Sequence, residues 1–160
     1  MAGKQSREKG ARGERRACRL LGKITGEEWK RTPGGDVQFA GDIVPTGAVC
    51  RPWDRCLVEV KNYGNVRIEH LLFPTKRELG WLDKAEGEAR AAGDRWPCLV
   101  VWVAGRGGVL VVLTDDIRGG FWDTLSDLTT WRGEVVWDER RPDGWPRGMT
   151  LIGVEGRTRD

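Results

Sequence analysis

Leu57-Val58-Glu59-Val60-Lys61 alternates apolar and charged residues, the period-two pattern of a strand with two different faces. Glu59 and Lys61 then point to one side, and Val58 and Val60 to the other. Upstream, Gly41-Asp42-Ile43-Val44 belongs to another apolar run, with Gly41 expected at a bulge or bend. If Asp42 ends the neighbouring strand, its carboxylate approaches Glu59. Two carboxylates and a backbone carbonyl make a hard-cation site, suited to Mg²⁺ with several waters retained. Lys61 beside them can orient a water or steady charge on a phosphate. Taken alone, the pattern of an acid followed by Glu-x-Lys also occurs on exposed strands and in surface ion pairs.

Working outward, Glu27–Thr32 reads as a short strand ended by Pro33-Gly34-Gly35, and Asp36–Val44 as a second strand. Val49-Cys50 and Cys56–Lys61 bracket a turn containing Pro52, which predicts a hairpin across which Cys50 and Cys56 can face each other, read as buried or facing thiols with a disulfide as the alternative. Thr75-Lys76-Arg77-Glu78 is a capping box. Leu82, Ala85, Ala89 and Ala92 follow at helical spacing, and Gly93 closes the helix. Cys98–Ala104 reads as a buried strand and Val109–Thr114 as its hairpin partner. A short helix is expected near 122–130, then strands at Glu134–Trp137 and Met149–Val154.

Before all of this lies a helix expected over residues 6–22, with Ser6 as a candidate N-cap and Gly22 as a stop. At about 100° per residue, Gly10, Ala11, Ala17, Cys18 and Leu21 flank Glu14, while Arg12, Arg16, Arg19 and Lys23 gather opposite. A carboxylate on an apolar stripe is costly unless paired or metal-bound. Glu14 therefore reads either as part of a site or as a buried ion pair.

The whole chain of 160 residues suits one domain, with a core over about 6–114 and an extension over about 115–154. Its net charge is only +3. Residues 1–23, however, hold eight basic residues against Glu8 and Glu14, a charge of +6, which leaves −3 for the rest. A basic segment on an acidic body suits a polyanionic partner, though a solvated helix face would look the same. The longest apolar run, Cys98–Ala104, is far short of the ~20 residues of a membrane helix, so no membrane partner is expected. With no signal core at the N-terminus, a cytoplasmic location is expected, in a prokaryotic cell or a phage-infected host. The four cysteines form no CxxC pair and the only histidine is His70, which argues against structural zinc. His70 reads as an ordinary polar position, and Asp36 and Asp54 as turn residues.

The order of these features resembles the PD-(D/E)XK nuclease superfamily, and within it the archaeal-type Holliday junction resolvases. The residues carrying the resemblance are Glu14-Arg15 on a basic helix, Arg31-Thr32-Pro33-Gly34-Gly35, Asp42, and Glu59-Val60-Lys61, over residues 6–104. Gly41-Asp42 stands where the superfamily usually has Pro-Asp. The resemblance implies an α/β fold, a restriction-endonuclease-like αβββαβ core with a central mixed sheet, followed by a C-terminal strand/helix extension. It implies a metal-dependent endonuclease cutting four-way DNA junctions as a homodimer. Asp42, Glu59 and the Val60 carbonyl would hold Mg²⁺ (or Mn²⁺), Lys61 would position the attacking water, and Glu14 would complete the catalytic set directly or through water. No small-molecule cofactor is expected.

DNA contacts are expected from Arg7, Lys9, Arg12, Arg15, Arg16, Arg19, Arg31, Thr32, Gly34 and Gly35, and from Asn62 and Tyr63 beside Lys61. The dimer interface is expected on the late strands and the Trp-rich tail, around Trp102, Trp122 and Trp137. Trp53 and Trp145 are core residues by default, with base stacking as the alternative. Two other readings are another PD-(D/E)XK nuclease acting on duplex, flap or single-stranded DNA, and a non-catalytic DNA-binding module.

Overall fold

The structure is a computed structural model and describes residues 2–32, 41–46, 53–93, 95–105, 107–112, 129–136 and 148–154. Helix α1 (Ala2–Thr25) leads to β1 (Trp29–Arg31), β2 (Ile43–Pro45), a 3₁₀ turn at Trp53–Arg55, and β3 (Cys56–Lys61). Then come α2 (Ile68–Leu72), α3 (Lys76–Ala91), β4 (Trp96–Val103), β5 (Gly107–Val112), β6 (Thr129–Val136) and β7 (Gly148–Val154). Among the described residues the strands form one mixed sheet in the order β1-β2-β3-β4-β5-β7-β6. Only β3 and β4 run parallel, joined through α2 and α3. The fold is α/β and restriction-endonuclease-like, as expected.

The alternation along the strands sorts side chains to two layers. Ile43, Val58, Cys98, Val100 and Trp102 pack with Ala17, Leu20, Leu21 and Ile24 of α1. Leu99, Val101 and Val103 pack on the other face with Trp81, Leu82 and Ala85 of α3. Glu59 and Lys61 pair in parallel register with Leu99 and Val101, so they belong to the α3 face.

Helix α1 runs through both expected boundaries, Ser6 and Gly22, because Leu21 and Ile24 still have core to cover. It stops at Gly26, whose φ of 73° suits a residue without a Cβ. There Thr25 Oγ1 donates to the Leu21 carbonyl (2.7 Å) and accepts from the Glu27 N–H (3.1 Å) and Trp29 Nε1 (3.0 Å). The same side chain thus ends the helix and fixes the entry to β1.

The Thr75–Glu78 capping box is present, and its Glu78 is buried while Thr75 is exposed. Glu78 accepts hydrogen bonds from the Thr75 N–H and hydroxyl and from Arg77 Nε (2.6 Å). Burial opposes its charge, but the bonds from Thr75 and Arg77 outweigh that and lower its pKa to about 2. His70 closes the short α2 by accepting the Arg67 N–H, in keeping with its reading as a structural polar residue.

Several expectations need correction. Thr129 and Thr130 lie in strand β6, not at the end of a helix; the rest of the expected helix lies outside the described residues. Trp102 is buried under Arg16 and so offers no interface, while Trp122, Trp137 and Trp145 lie outside the described residues. Trp53, by contrast, is fully buried, in agreement with its default reading as a core residue and against the base-stacking alternative. Cys56 meets Cys98 on the adjacent strand, and Cys50 lies outside the described residues.

Candidate active site

The site forms where β2 begins beside the far end of β3. Gly41 (φ 90°) lies so close to β3 that a Cβ would come within 2.8 Å of the Val58 carbonyl oxygen. Only glycine allows this approach, which is the physical reason for the bend expected there. The Asp42 N–H then donates to the Val58 carbonyl (2.8 Å), and the Val60 N–H donates to Asp42 Oδ2 (2.7 Å). Asp42 therefore takes the place of a ladder residue, with its carboxylate beside Glu59 as expected. Burial, and then the charge of Glu59, push the Asp42 pKa up. The Val60 N–H works against this, and Glu14 adds to the rise.

Glu59 is buried, and its Oε2 meets Lys61 Nζ at 3.3 Å and Lys84 Nζ at 3.1 Å. Lys84 also pairs with Glu88 at 3.3 Å, one turn along α3. The Glu59 and Glu88 carboxyls share a hydrogen bond. Burial raises both, but for Glu59 the bond from Glu88 and the ammonium groups of Lys61 and Lys84 prevail and lower its pKa. Glu88 is raised by burial and by donating to Glu59.

Sequence reasoning missed Lys84 and Glu88. The available signal was their i,i+4 spacing on a helix that returns along the Glu-x-Lys strand.

Helix α1 reaches the site from the opposite face. Gly13 is buried against Asn62, where a Cβ would stand 2.7 Å from that of Asn62. Asn62 Nδ2 donates to the Lys9 carbonyl (2.9 Å), so its amide ties α1 to the end of β3. This brings Glu14 close enough for its charge to act on Asp42. Its carboxylate, however, pairs with Arg31 Nε at 2.5 Å. Among the described residues no three metal-ligating side chains converge, so Glu14 does not join Asp42 and Glu59 directly. Of the two readings of Glu14, the ion pair is present; it is only partly buried.

Arg7, Lys9, Arg12, Arg15 and Arg19 are exposed along α1. Arg16 is not part of an outward stripe, because its guanidinium lies 4.1 Å over the Trp102 ring and is half-buried. Thr32 continues the β1–β2 pairing by donating its N–H to the Asp42 carbonyl (2.9 Å). Gly34, Gly35 and Asp36 lie outside the described residues, and Asp54 is exposed in the 3₁₀ turn.

The donor set suits a hard divalent ion. Asp42 and Glu59 bring two carboxylates into partial burial, with the Val60 backbone between them. Burial first, and then the charge of Glu59, oppose ionisation of Asp42, and a cation shared by the two carboxylates would offset both.

A helix on one face, acids on β2 and β3, and a helical return to a parallel β4 define the PD-(D/E)XK class of nuclease. A family model described as "Phage putative PDDEXK endonuclease" matches residues 5–141, and the chain belongs to that family. No curated protein and no solved structure matches the chain. No helix among the described residues is long and apolar enough to cross a membrane.

Proposed function

We propose that this PD-(D/E)XK nuclease is a Mg²⁺-dependent endonuclease for branched DNA, with the four-way junction as its preferred substrate. The observation that carries the catalytic part is the packing of Asp42, Glu59 and Lys61 at one end of the β2–β3 pair. Asp42, Glu59 and the Val60 carbonyl would hold Mg²⁺ or Mn²⁺. A bound ion there would polarise the phosphodiester and lower the pKa of its water.

Lys61, beside Glu59, would orient the attacking water and steady the charge developing on phosphorus. Lys84 and Glu88 hold the Glu59 carboxylate in place from α3. In-line attack would leave a 5′-phosphate and a 3′-hydroxyl. Glu14 would act through a bound water, and its hold on Arg31 fixes one cation beside the site.

Junction preference is supported by the exposed cations of α1, which lead up to the site along a helix roughly 36 Å long. They would grip phosphates by shape and charge, not by sequence. Arg31, Thr32, Gly34 and Gly35 would extend that grip. A twofold homodimer would place two such sites on a pseudo-twofold junction for paired cuts. Such an enzyme would work in the cytoplasm of a prokaryotic cell or phage-infected host. The second reading, a nuclease for duplex, flap or single-stranded DNA, fits the family description equally well.

Cleavage of junction, flap and linear duplex at equal concentration separates the two. Junction cleavage at least ten-fold faster than duplex, in paired nicks, is expected. Equal rates would leave the second reading.

A further inference from the structure

Two residues past Lys61, the Tyr63 ring stacks on Trp81 with centroids 5.0 Å apart and planes 13° from parallel. Trp81 is buried in the α3 layer, whereas Tyr63 remains 45% exposed. Arg77 lies 5.8 Å from the Tyr63 centroid and 5.2 Å from that of Trp81. With the two centroids only 5.0 Å apart, these distances place the guanidinium beside the stack, not beyond Tyr63. The Tyr63 face turned away from Trp81 is therefore covered by neither group. Arg77 is itself held, donating to Glu78 at 2.6 Å and to the side-chain Oδ1 of Asn65 at 3.1 Å. A buried ring and an anchored cation thus hold an exposed aromatic face in one orientation.

We propose that this outer face is a stacking platform for one unpaired DNA base next to the scissile phosphate. The Cα atoms of Lys61 and Tyr63 are within about 7 Å of each other by chain geometry, about one nucleotide's reach. A base inside a duplex has both faces covered by its neighbours, so the platform selects bases freed at a flap, a single strand or a branch point. Arg77 at the ring edges supplies a cation for the adjacent phosphate. The inference rests on the nuclease reading and narrows its substrate to DNA with an unstacked base at the cut.

The test measures metal-free binding by fluorescence anisotropy to a single strand and to a long duplex. Tyr63→Leu keeps an apolar cover over Trp81 but removes the π face, and Tyr63→Phe keeps the face. Tyr63→Leu is expected to weaken single-strand binding about ten-fold while changing duplex binding less than about two-fold. Tyr63→Phe is expected to bind like the wild type, and matching melting temperatures establish that both variants are folded. Equal single-strand affinity for Tyr63→Leu and wild type, or equal losses on both DNAs, would overturn the platform. A wild type that binds neither DNA would instead overturn the nuclease reading beneath it.

Discussion

Replacing Gly13 with alanine tests how the site is assembled. The new Cβ would stand 2.7 Å from the Asn62 Cβ and 2.9 Å from its Nδ2. Carbon atoms settle at 3.5–4.0 Å, so α1 and β3 must part by about 1 Å. Alanine favours the helix by ~1 kcal/mol, while the overpacking costs roughly 1–3 kcal/mol. The net loss of stability is therefore at most about 2 kcal/mol, a melting shift of no more than ~8 °C.

Activity should suffer far more, because the same displacement carries Glu14 on α1 away from Asp42 and from its partner Arg31 on β1. A misplacement of ~1 Å is worth about 100-fold in rate. Asn62→Gly in the same chain removes the opposing Cβ, at the cost of the Lys9 hydrogen bond, about 1 kcal/mol. The double variant should recover most of the cleavage lost by Gly13→Ala. Calorimetry and single-turnover cleavage of a junction read the two effects separately. Wild-type cleavage by Gly13→Ala, or a double variant no better than the single, would refute the role given to this contact.

Other perturbations have equally definite outcomes. Asp42→Asn keeps an acceptor for the Val60 N–H and removes a charge that burial and Glu59 oppose, so it should stabilise the metal-free protein by about 1 kcal/mol, ~3 °C, while lowering cleavage at least ~100-fold; destabilisation measured by calorimetry in EDTA would contradict this. Lys84→Met removes a cation 3.1 Å from Glu59, so half-maximal cleavage should need roughly five- to ten-fold less Mg²⁺; an unchanged or higher requirement in a metal titration would show that Lys84 does not compete for that oxygen. Glu78, lowered from 4.5 to about 2, contributes stability that is present above pH 4.5 and lost as the pH falls toward 2, about 3 kcal/mol in all. Glu78→Gln should be less stable at neutral pH and should lose less than wild type over that acid window, as read by denaturant titration. Charge reversal at Arg12 and Arg15, which are exposed, should flatten the salt dependence of DNA binding without lowering the melting temperature, whereas reversal at Arg16, which packs on Trp102, should lower the melting temperature and leave the salt dependence little changed.

Strand β3, the capped helix α3 and the β4–β5 hairpin were legible because each carries a local signal: strict alternation, a Thr-x-x-Glu box, and an apolar run before a glycine turn. The pairing of Glu59 with Lys61 followed from alternation alone. The approach of Asp42 required only that Gly41 bend the chain onto β3, which its positive φ accomplishes. The boundaries of α1 were not legible, because core burial by Leu21 and Ile24 outweighs the local signal at Gly22. Helix α2, five residues long, has no periodicity to detect. Arg16 reads as solvent-facing on a helical wheel and lies instead on Trp102, a partner 86 residues away in the chain. Lys84 and Glu88 escaped for the same reason, since only the return of α3 across the sheet brings them to Glu59. Tertiary contacts of that length leave no local trace.

Glu59 on β3 is the residue on which metal binding and cleavage both depend in the proposed mechanism. Glu59→Gln keeps the size of the side chain and one acceptor oxygen, replaces the other oxygen with an NH₂ donor, and removes the charge that would hold the ion. Mg²⁺-dependent cleavage of a labelled four-way junction, measured alongside junction binding in EDTA, is the decisive comparison. Cleavage should fall at least ~100-fold in Glu59→Gln while binding is kept or strengthened, because repulsion of phosphate is reduced. Cleavage at the wild-type rate would contradict the assignment of this site.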